Sequence, residues 1–334
     1  MTVLRTVASV ILMAVTTLEI GFARSEQTTH PTIANIAYAP TDPARSRGHL
    51  LDLYLPAAAA KPVPIVIWTG GSGWKGDNDK AGAGEVAAKL NPAGFAVAGV
   101  SIRSSGQTTF PGQLYDIKAA IRWLRANAAK YNLDPNHIGY MGGSSGGWAA
   151  IMAAVTGDRP ELEGRVGAFR VSSEVQAAVA FAPTTDLLLM DGAHYYSAAW
   201  PIGRLLGCAP VACPEKARLA SPSQYVTGNE PPILIFHGEL DQKVAHDQSE
   251  LLYRALKDAC DEAVFISLPK AGHGHAFLTG NTLREGATIR SVSSANCKAR
   301  KAAPITPTWT TVIDFLRRNL AGPASRSTQR HRPA

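Results

Sequence analysis

Short apolar runs alternate with amphipathic stretches along most of this chain. Leu50-Leu51-Asp52-Leu53-Tyr54-Leu55 alternates enough to predict an early strand, and residues 63–68 predict a buried strand that ends at Gly70-Gly71. Residues 81–90 predict a helix stopped by Asn91-Pro92, and residues 95–101 the next strand. From 115 to 129, apolar Ile117, Ala120, Ile121 and Leu124 recur at helical spacing with basic residues between them. Strands are predicted again at 177–181, 233–236 and 263–268, and helices at 248–257 and 309–320. Strand and helix in repetition, with near-continuous apolar strands, predict an α/β fold: a mostly parallel central sheet with helices on both faces. The stretch 187–225 breaks the rhythm. It carries Tyr195, Tyr196, Trp200, prolines and two cysteines without a clear strand. It reads either as a lid or wall of a substrate site, or as a packed excursion pinned by a disulfide.

The chemistry concentrates at strand ends. Ile138-Gly139-Tyr140-Met141-Gly142-Gly143-Ser144-Ser145-Gly146-Gly147-Trp148-Ala149 reads as a buried strand, a glycine-lined turn and an alanine-rich helix. Such a turn lifts a serine hydroxyl clear of the backbone at a helix N-terminus. The Gly-x-Ser-x-Gly pattern fits two frames, centred on Ser144 or on Ser145. A serine hydroxyl needs an imidazole to take its proton and a carboxylate to orient that imidazole. Strand 233–236 leads into His237-Gly238-Glu239-Leu240-Asp241, and strand 263–268 into Gly272-His273-Gly274-His275. The chain order Ser…Asp…His on one sheet edge makes Asp241 and His273 the candidate partners, with Asp186 and His275 as rivals. His237 reads as a structural histidine, and Asp116 as a charge favourable to its helix dipole. Thr69-Gly70-Gly71-Ser72-Gly73-Trp74 follows another strand, where backbone N–H groups can turn toward an oxyanion.

With these residues in view, the chain from about His49 to Leu320 resembles the α/β-hydrolase fold, and within it the esterase/lipase branch that includes bacterial feruloyl and acetyl esterases. Leu51-Asp52-Leu53-Tyr54-Leu55-Pro56, Gly70-Gly71-Ser72-Gly73-Trp74, Phe110-Pro111-Gly112, Leu133-Asp134-Pro135 and Pro231-Pro232-Ile233-Leu234 carry the resemblance beyond the serine turn. The family's elbow, Gly-x-Ser-Ala-Gly-Gly, maps onto residues 142–147 and implies Ser144 as nucleophile. By the same pattern Asp241 is the acid, His273 the base, and Gly71, Ser72 and Ser145 the oxyanion donors. Two departures stand out: Thr69 where the family commonly has histidine, and Trp148 where histidine is frequent. The implied activity is hydrolysis of small acyl, feruloyl or acetyl esters, carbohydrate-linked ones included. Trp74 and Trp148 are the aromatics expected to bind substrate. Peptide or amide cleavage on the same fold is the alternative enzyme, and a non-catalytic binding protein on this scaffold the alternative class.

Composition refines the picture at the ends of the chain. Residues 1–23 combine Arg5, an apolar stretch and Gly21-Phe22-Ala23, the pattern of a cleaved signal peptide. That apolar stretch is about half the ~20 residues a membrane span needs, which favours a cleaved leader over the alternative of an uncleaved membrane anchor, and no stable membrane insertion is expected once it is removed. Residues 24–48 follow as an N-terminal segment, 49–321 as the catalytic domain and 322–334 as a basic tail with little to bury. Export, to a secreted or periplasmic location, changes the reading of Cys208, Cys213, Cys260 and Cys297 toward disulfides, with three pairings open. Their spacing is not that of a zinc site, and no metal or other cofactor is expected. The net charge of +7 is modest for 334 residues and lacks an aromatic-interleaved basic face, so no nucleic-acid partner is expected.

Overall fold

A computed structural model describes residues 30–57, 59–157, 159–167, 170–189, 199–275, 278 and 282–320. The expected signal peptide, the basic tail, and Tyr195 and Tyr196 lie outside the described residues, as does the side chain of Trp200.

The apolar runs pair because a strand buried on both faces has no solvent to satisfy its backbone. Ten strands form one sheet: β1 (Ile33–Ala37), β2 (Leu50–Tyr54), β3 (Val63–Thr69), β4 (Ala96–Val100), β5 (Leu133–Gly143), β6 (Ala177–Phe181), β7 (Ile233–Gly238), β8 (Ala263–Leu268), β9 (Ala287–Val292) and β10 (Ala299–Ile305). Their spatial order is β1-β2-β4-β3-β5-β6-β7-β8-β9-β10. The six central strands, from β4 to β8, run parallel. Antiparallel pairs close both edges.

Seven α-helices accompany the sheet among the described residues: α1 (Ala83–Leu90), α2 (Gly112–Ala126), α3 (Ser145–Val155), α4 (Ala199–Leu206), α5 (Pro214–Leu219), α6 (Asp247–Asp258) and α7 (Trp309–Leu320). Side chains alternate across a strand, so β3 sends Ile65 and Ile67 into one core and Val66 and Trp68 into the other. The first core takes Leu114, Ile121, Ile151 and Leu252 from α2, α3 and α6. The second takes Val86, Leu90, Phe315 and Leu316 from α1 and α7. Helices therefore cover both faces, as the sequence predicts. No helix among the described residues is long and apolar enough to cross a membrane.

The irregular stretch 187–225 is helical where described, through α4 and α5, and Cys208–Cys213 joins the end of one to the start of the other. Cys260–Cys297 ties the chain just beyond α6 to the turn between β9 and β10. Asp116 does more than complement a helix dipole. It is fully buried in α2, where its carboxylate accepts the backbone N–H of Arg103 at 2.9 Å, the Arg103 guanidinium at 2.7 Å and His49 Nε2 at 3.0 Å. A buried carboxylate needs such partners, and here they fasten the segment after β4 to α2.

Candidate active site

The β5–α3 corner is built by close backbone packing. Ser144 has φ 56° and ψ −121°, a conformation costly for any L-residue, and α3 begins at the next residue. Its N–H donates to Phe181 O of β6 at 2.8 Å, and its carbonyl accepts the N–H of Trp148 at 2.9 Å. Gly146 must be glycine because a Cβ there would overlap Thr69 O at the end of β3. Gly71 is pressed on the same corner: a Cβ would lie 2.5 Å from Gly143 O and 2.7 Å from Ser144 Cβ. The loop after β3 therefore rests directly on the serine.

Asp241 and His273 reach that edge from the loops after β7 and β8. His273 Nδ1 lies 2.7 Å from Asp241 Oδ2. The other carboxylate oxygen accepts the N–H groups of Lys243 at 2.8 Å and Val244 at 3.0 Å, so it cannot rotate freely. Burial alone would raise the Asp241 pKa, but hydrogen bonds from His237, His273 and the Val244 N–H outweigh it. They hold the carboxyl well below the usual carboxylate range, and the group is an anion at all working pH. His237 is a structural histidine: fully buried, it bonds Ser249 Oγ at 2.7 Å and Val244 O at 3.0 Å. With His273 Nδ1 committed to Asp241, Nε2 is the nitrogen left for chemistry.

Ser144 and His273 line one cleft of about 380 Å³, together with Gly71, Ser72, Asp79 and His275. Glu85 and Asn78 complete its polar side. Burial lowers the His275 pKa despite nearby Glu85, which leaves the ring neutral. It meets Trp68 and Phe181 ring to ring, at 5.2 and 5.7 Å, and among the described residues no carboxylate bonds it as Asp241 bonds His273. The rival acid Asp186 instead caps its own turn, accepting the N–H groups of Leu188 and Leu189 at 3.0 and 3.2 Å. A larger hollow of about 560 Å³, between Arg122, Glu163 and Ser173, contains none of these groups.

Three sequence expectations need correction. Trp148 is fully buried, donating Nε1–H to Ala220 O at 2.7 Å and packing edge-on against Trp74 at 5.5 Å. Trp74 is itself only 4% exposed. Neither borders the cleft, so the expected substrate-binding pair is core. Third, the Ser72 N–H is turned to Ser145 Oγ at 3.0 Å, which engages it as a donor within the loop. The Gly71 and Ser145 amides are left as the candidate oxyanion donors. The two serines of the motif differ in setting: Ser145 Oγ is buried and accepts from Ser72 and Gly73, whereas Ser144 lines the cleft.

Asp79 is a member of the site that sequence reasoning misses. It is buried at the cleft, its carbonyl accepts the Gly70 N–H at 2.6 Å, and burial pushes its carboxyl up to about 7. Hydrogen bonds from Ser72 and Ile102 only partly oppose that rise, and Asp77 adds to it. Nothing in the Gly76-Asp77-Asn78-Asp79 run distinguishes it from an exposed polar loop.

Comparison with known proteins bears on the whole arrangement. The BD-FAE family profile matches residues 51–256, a span that contains Ser144 and Asp241 and ends before His273. Esterase LipQ of Mycobacterium tuberculosis is 29% identical over 78% of this chain and 61% of its own length. LipM and LipC of the same organism match over 50% and 58% of theirs, so the chain spans half to three fifths of these curated relatives. Among solved structures, a truncated carbohydrate esterase from gut microbiota is 31% identical. It covers 89% of this chain and 99% of its own, with a TM-score of 0.71. A bifunctional GH43-CE protein of Bacteroides eggerthii is 37% identical, covering 72% of this chain and 35% of its own, with a TM-score of 0.68. The mostly parallel sheet with helices on both faces is the α/β-hydrolase fold.

Proposed function

Since the chain belongs to the BD-FAE family, we propose that it is an exported serine carboxylic-ester hydrolase that uses Ser144, His273 and Asp241. The observation that carries this reading is the His273 Nδ1–Asp241 Oδ2 contact of 2.7 Å beside a cleft that Ser144 shares. In the first step His273 Nε2 takes the Ser144 proton as Oγ attacks the ester carbonyl. Asp241 holds the ring in the tautomer that leaves Nε2 free and stabilises the imidazolium that forms. Backbone N–H groups of Gly71 and Ser145 hold the oxyanion, aided by the α3 N-terminus. His273 then protonates the departing alcohol. In the second half it activates water to release the acid and restore Ser144.

The modest size of the cleft, about 380 Å³, supports short acyl groups over long aliphatic chains, and Asn78, Asp79 and Glu85 on its wall offer polar partners to a hydroxylated alcohol. The names of the carbohydrate-esterase neighbours point the same way, toward esters on sugars, and acetyl or feruloyl groups are the acyl parts we propose. Export is supported by the signal-like residues 1–23 and by the two disulfides, which persist in oxidising compartments. Ser144→Ala tests the assignment. The variant should unfold at the wild-type temperature or above, lose p-nitrophenyl acetate hydrolysis and resist labelling by a fluorophosphonate. Esterase activity retained in that folded variant would remove Ser144 from the mechanism, and an unlabelled, inactive wild type would favour a binding protein.

A further inference from the structure

The loop expected to present the Gly71 amide has few restraints of its own. Gly70, Gly71 and Gly73 leave it almost without side chains, and Gly73 sits at φ 61°. Glycine backbone of this kind samples many conformations, whereas an oxyanion donor is effective only when already aimed. The Ser72 side chain bonds Asp79 and accepts the Gly76 N–H at 3.3 Å, and two backbone anchors bracket Gly71 itself. Upstream of Gly71, the Gly70 N–H donates to Asp79 O at 2.6 Å. Downstream, the N–H groups of Ser72 and Gly73 both donate to Ser145 Oγ, each at 3.0 Å. A hydroxyl oxygen has two acceptor sites, and here both are filled by consecutive amides of one loop.

The second anchor comes from the residue next to the nucleophile. Ser145 opens α3 and is 4% exposed, so its side chain is held by the helix and by its surroundings. Its Oγ therefore links the corner that carries Ser144 to the loop that carries Gly71. An alanine in its place would supply no acceptor and would leave two amides unpaired.

We propose that the Ser145 side chain is a positioning residue of the active site, a hydroxyl latch that fixes the Gly71 amide relative to Ser144 Oγ. This role is distinct from that of the Ser145 backbone N–H, and it rests on the hydrolase reading above. The latch acts on a hydrogen bond that strengthens only as charge develops on the carbonyl oxygen. Loosening it should therefore lower kcat and leave KM nearly unchanged.

Ser145→Ala is the test, measured on p-nitrophenyl acetate beside wild type and Ser144→Ala. The expected loss in kcat is roughly 10- to 100-fold, short of the roughly 100- to 1,000-fold that follows complete removal of an oxyanion donor. The affinity for a boronic acid, whose tetrahedral adduct with Ser144 needs the same amide, should fall by the same factor, while inhibition by the carboxylate product should stay as it was. A folded Ser145→Ala variant with wild-type kcat would overturn the latch. So would a loss confined to thermal stability or to KM. An inactive wild type, or an active Ser144→Ala, would instead overturn the hydrolase reading on which the latch depends.

Discussion

Replacing Asp241 with asparagine changes one atom and should disable the proposed base. Oδ1 accepts the N–H groups of Lys243 and Val244 at 2.8 and 3.0 Å, and that pair of donors dictates how the new side chain sits. The carbonyl oxygen of the introduced amide must remain on them, because the opposite flip would set its NH2 against two N–H groups. The NH2 then occupies the Oδ2 position, 2.7 Å from His273 Nδ1 and 3.2 Å from His237 Nε2. Facing a donor, His273 Nδ1 must become an acceptor, which moves its proton to Nε2, where Ser144 needs a lone pair. The wrong tautomer is then the stable one, and the imidazolium also loses its counter-charge. Loss of that kind in a serine–histidine–aspartate system is about 10,000-fold in kcat, or roughly 5.4 kcal/mol at 1.36 kcal/mol per decade. The assay is kcat and KM for p-nitrophenyl acetate near neutral pH, with circular dichroism to establish folding. KM should change little, since no group that touches substrate is altered. A folded Asp241→Asn variant within about tenfold of wild-type kcat would refute both the carboxylate's role and the tautomer argument.

Two further outcomes follow from the site's surroundings. Asp79 has a folded-state pKa of about 7, raised from 3.8, so ionisation opposes the native state. Its unfavourable contribution is absent below the unfolded value and grows as pH rises to about 7, approaching roughly 4 kcal/mol. Asp79→Asn should therefore show a smaller loss of stability than wild type between about pH 5 and pH 8 in urea titrations; equal losses would mean that Asp79 does not titrate in this range. Trp148→Phe should cost about 1–3 kcal/mol, through the lost Nε1–H bond to Ala220 O and the unpaired acceptor it leaves, without moving KM. A several-fold rise in KM in a variant of unchanged stability would return Trp148 to the substrate site.

The central sheet was legible in the sequence because strands buried on both faces must be apolar throughout, as at 177–181 and 263–268. The edge strands were not. β1 exposes Asn35, and β10 begins Ala299-Arg300-Lys301, so neither carries the apolar run that marks a strand. Their pairing depends on a neighbour already in place. Ser144, Asp241 and His273, the proposed triad, stand out in the sequence because each lies in the turn or loop after a central strand, where chain order alone dictates the sheet edge. Aromatic side chains gave no such cue: Trp74 follows β3 and Trp148 lies on α3 just after β5, yet their rings turn inward against each other. The engagement of the Ser72 amide was equally hidden, since it depends on the rotamer of Ser145, 73 residues along the chain. Burial of Asp79 likewise arises from what folds over it, and its own neighbours in sequence are polar.

The conformation of Ser144 has a consequence for how this protein would lose the proposed activity. At φ 56° and ψ −121°, the residue stays where it is only because other parts of the chain forbid relaxation. Phe181 O of β6 accepts its N–H, and Thr69 O of β3 leaves no room at Gly146 for the corner to open. The Ser144 conformation is thus a product of three strands far apart in sequence, and no local segment can reproduce it. On the proposed function, hydrolysis becomes a reporter of assembly: a compact state that keeps its helices and strands but loosens their packing should be silent, and activity should return only with the last step of consolidation.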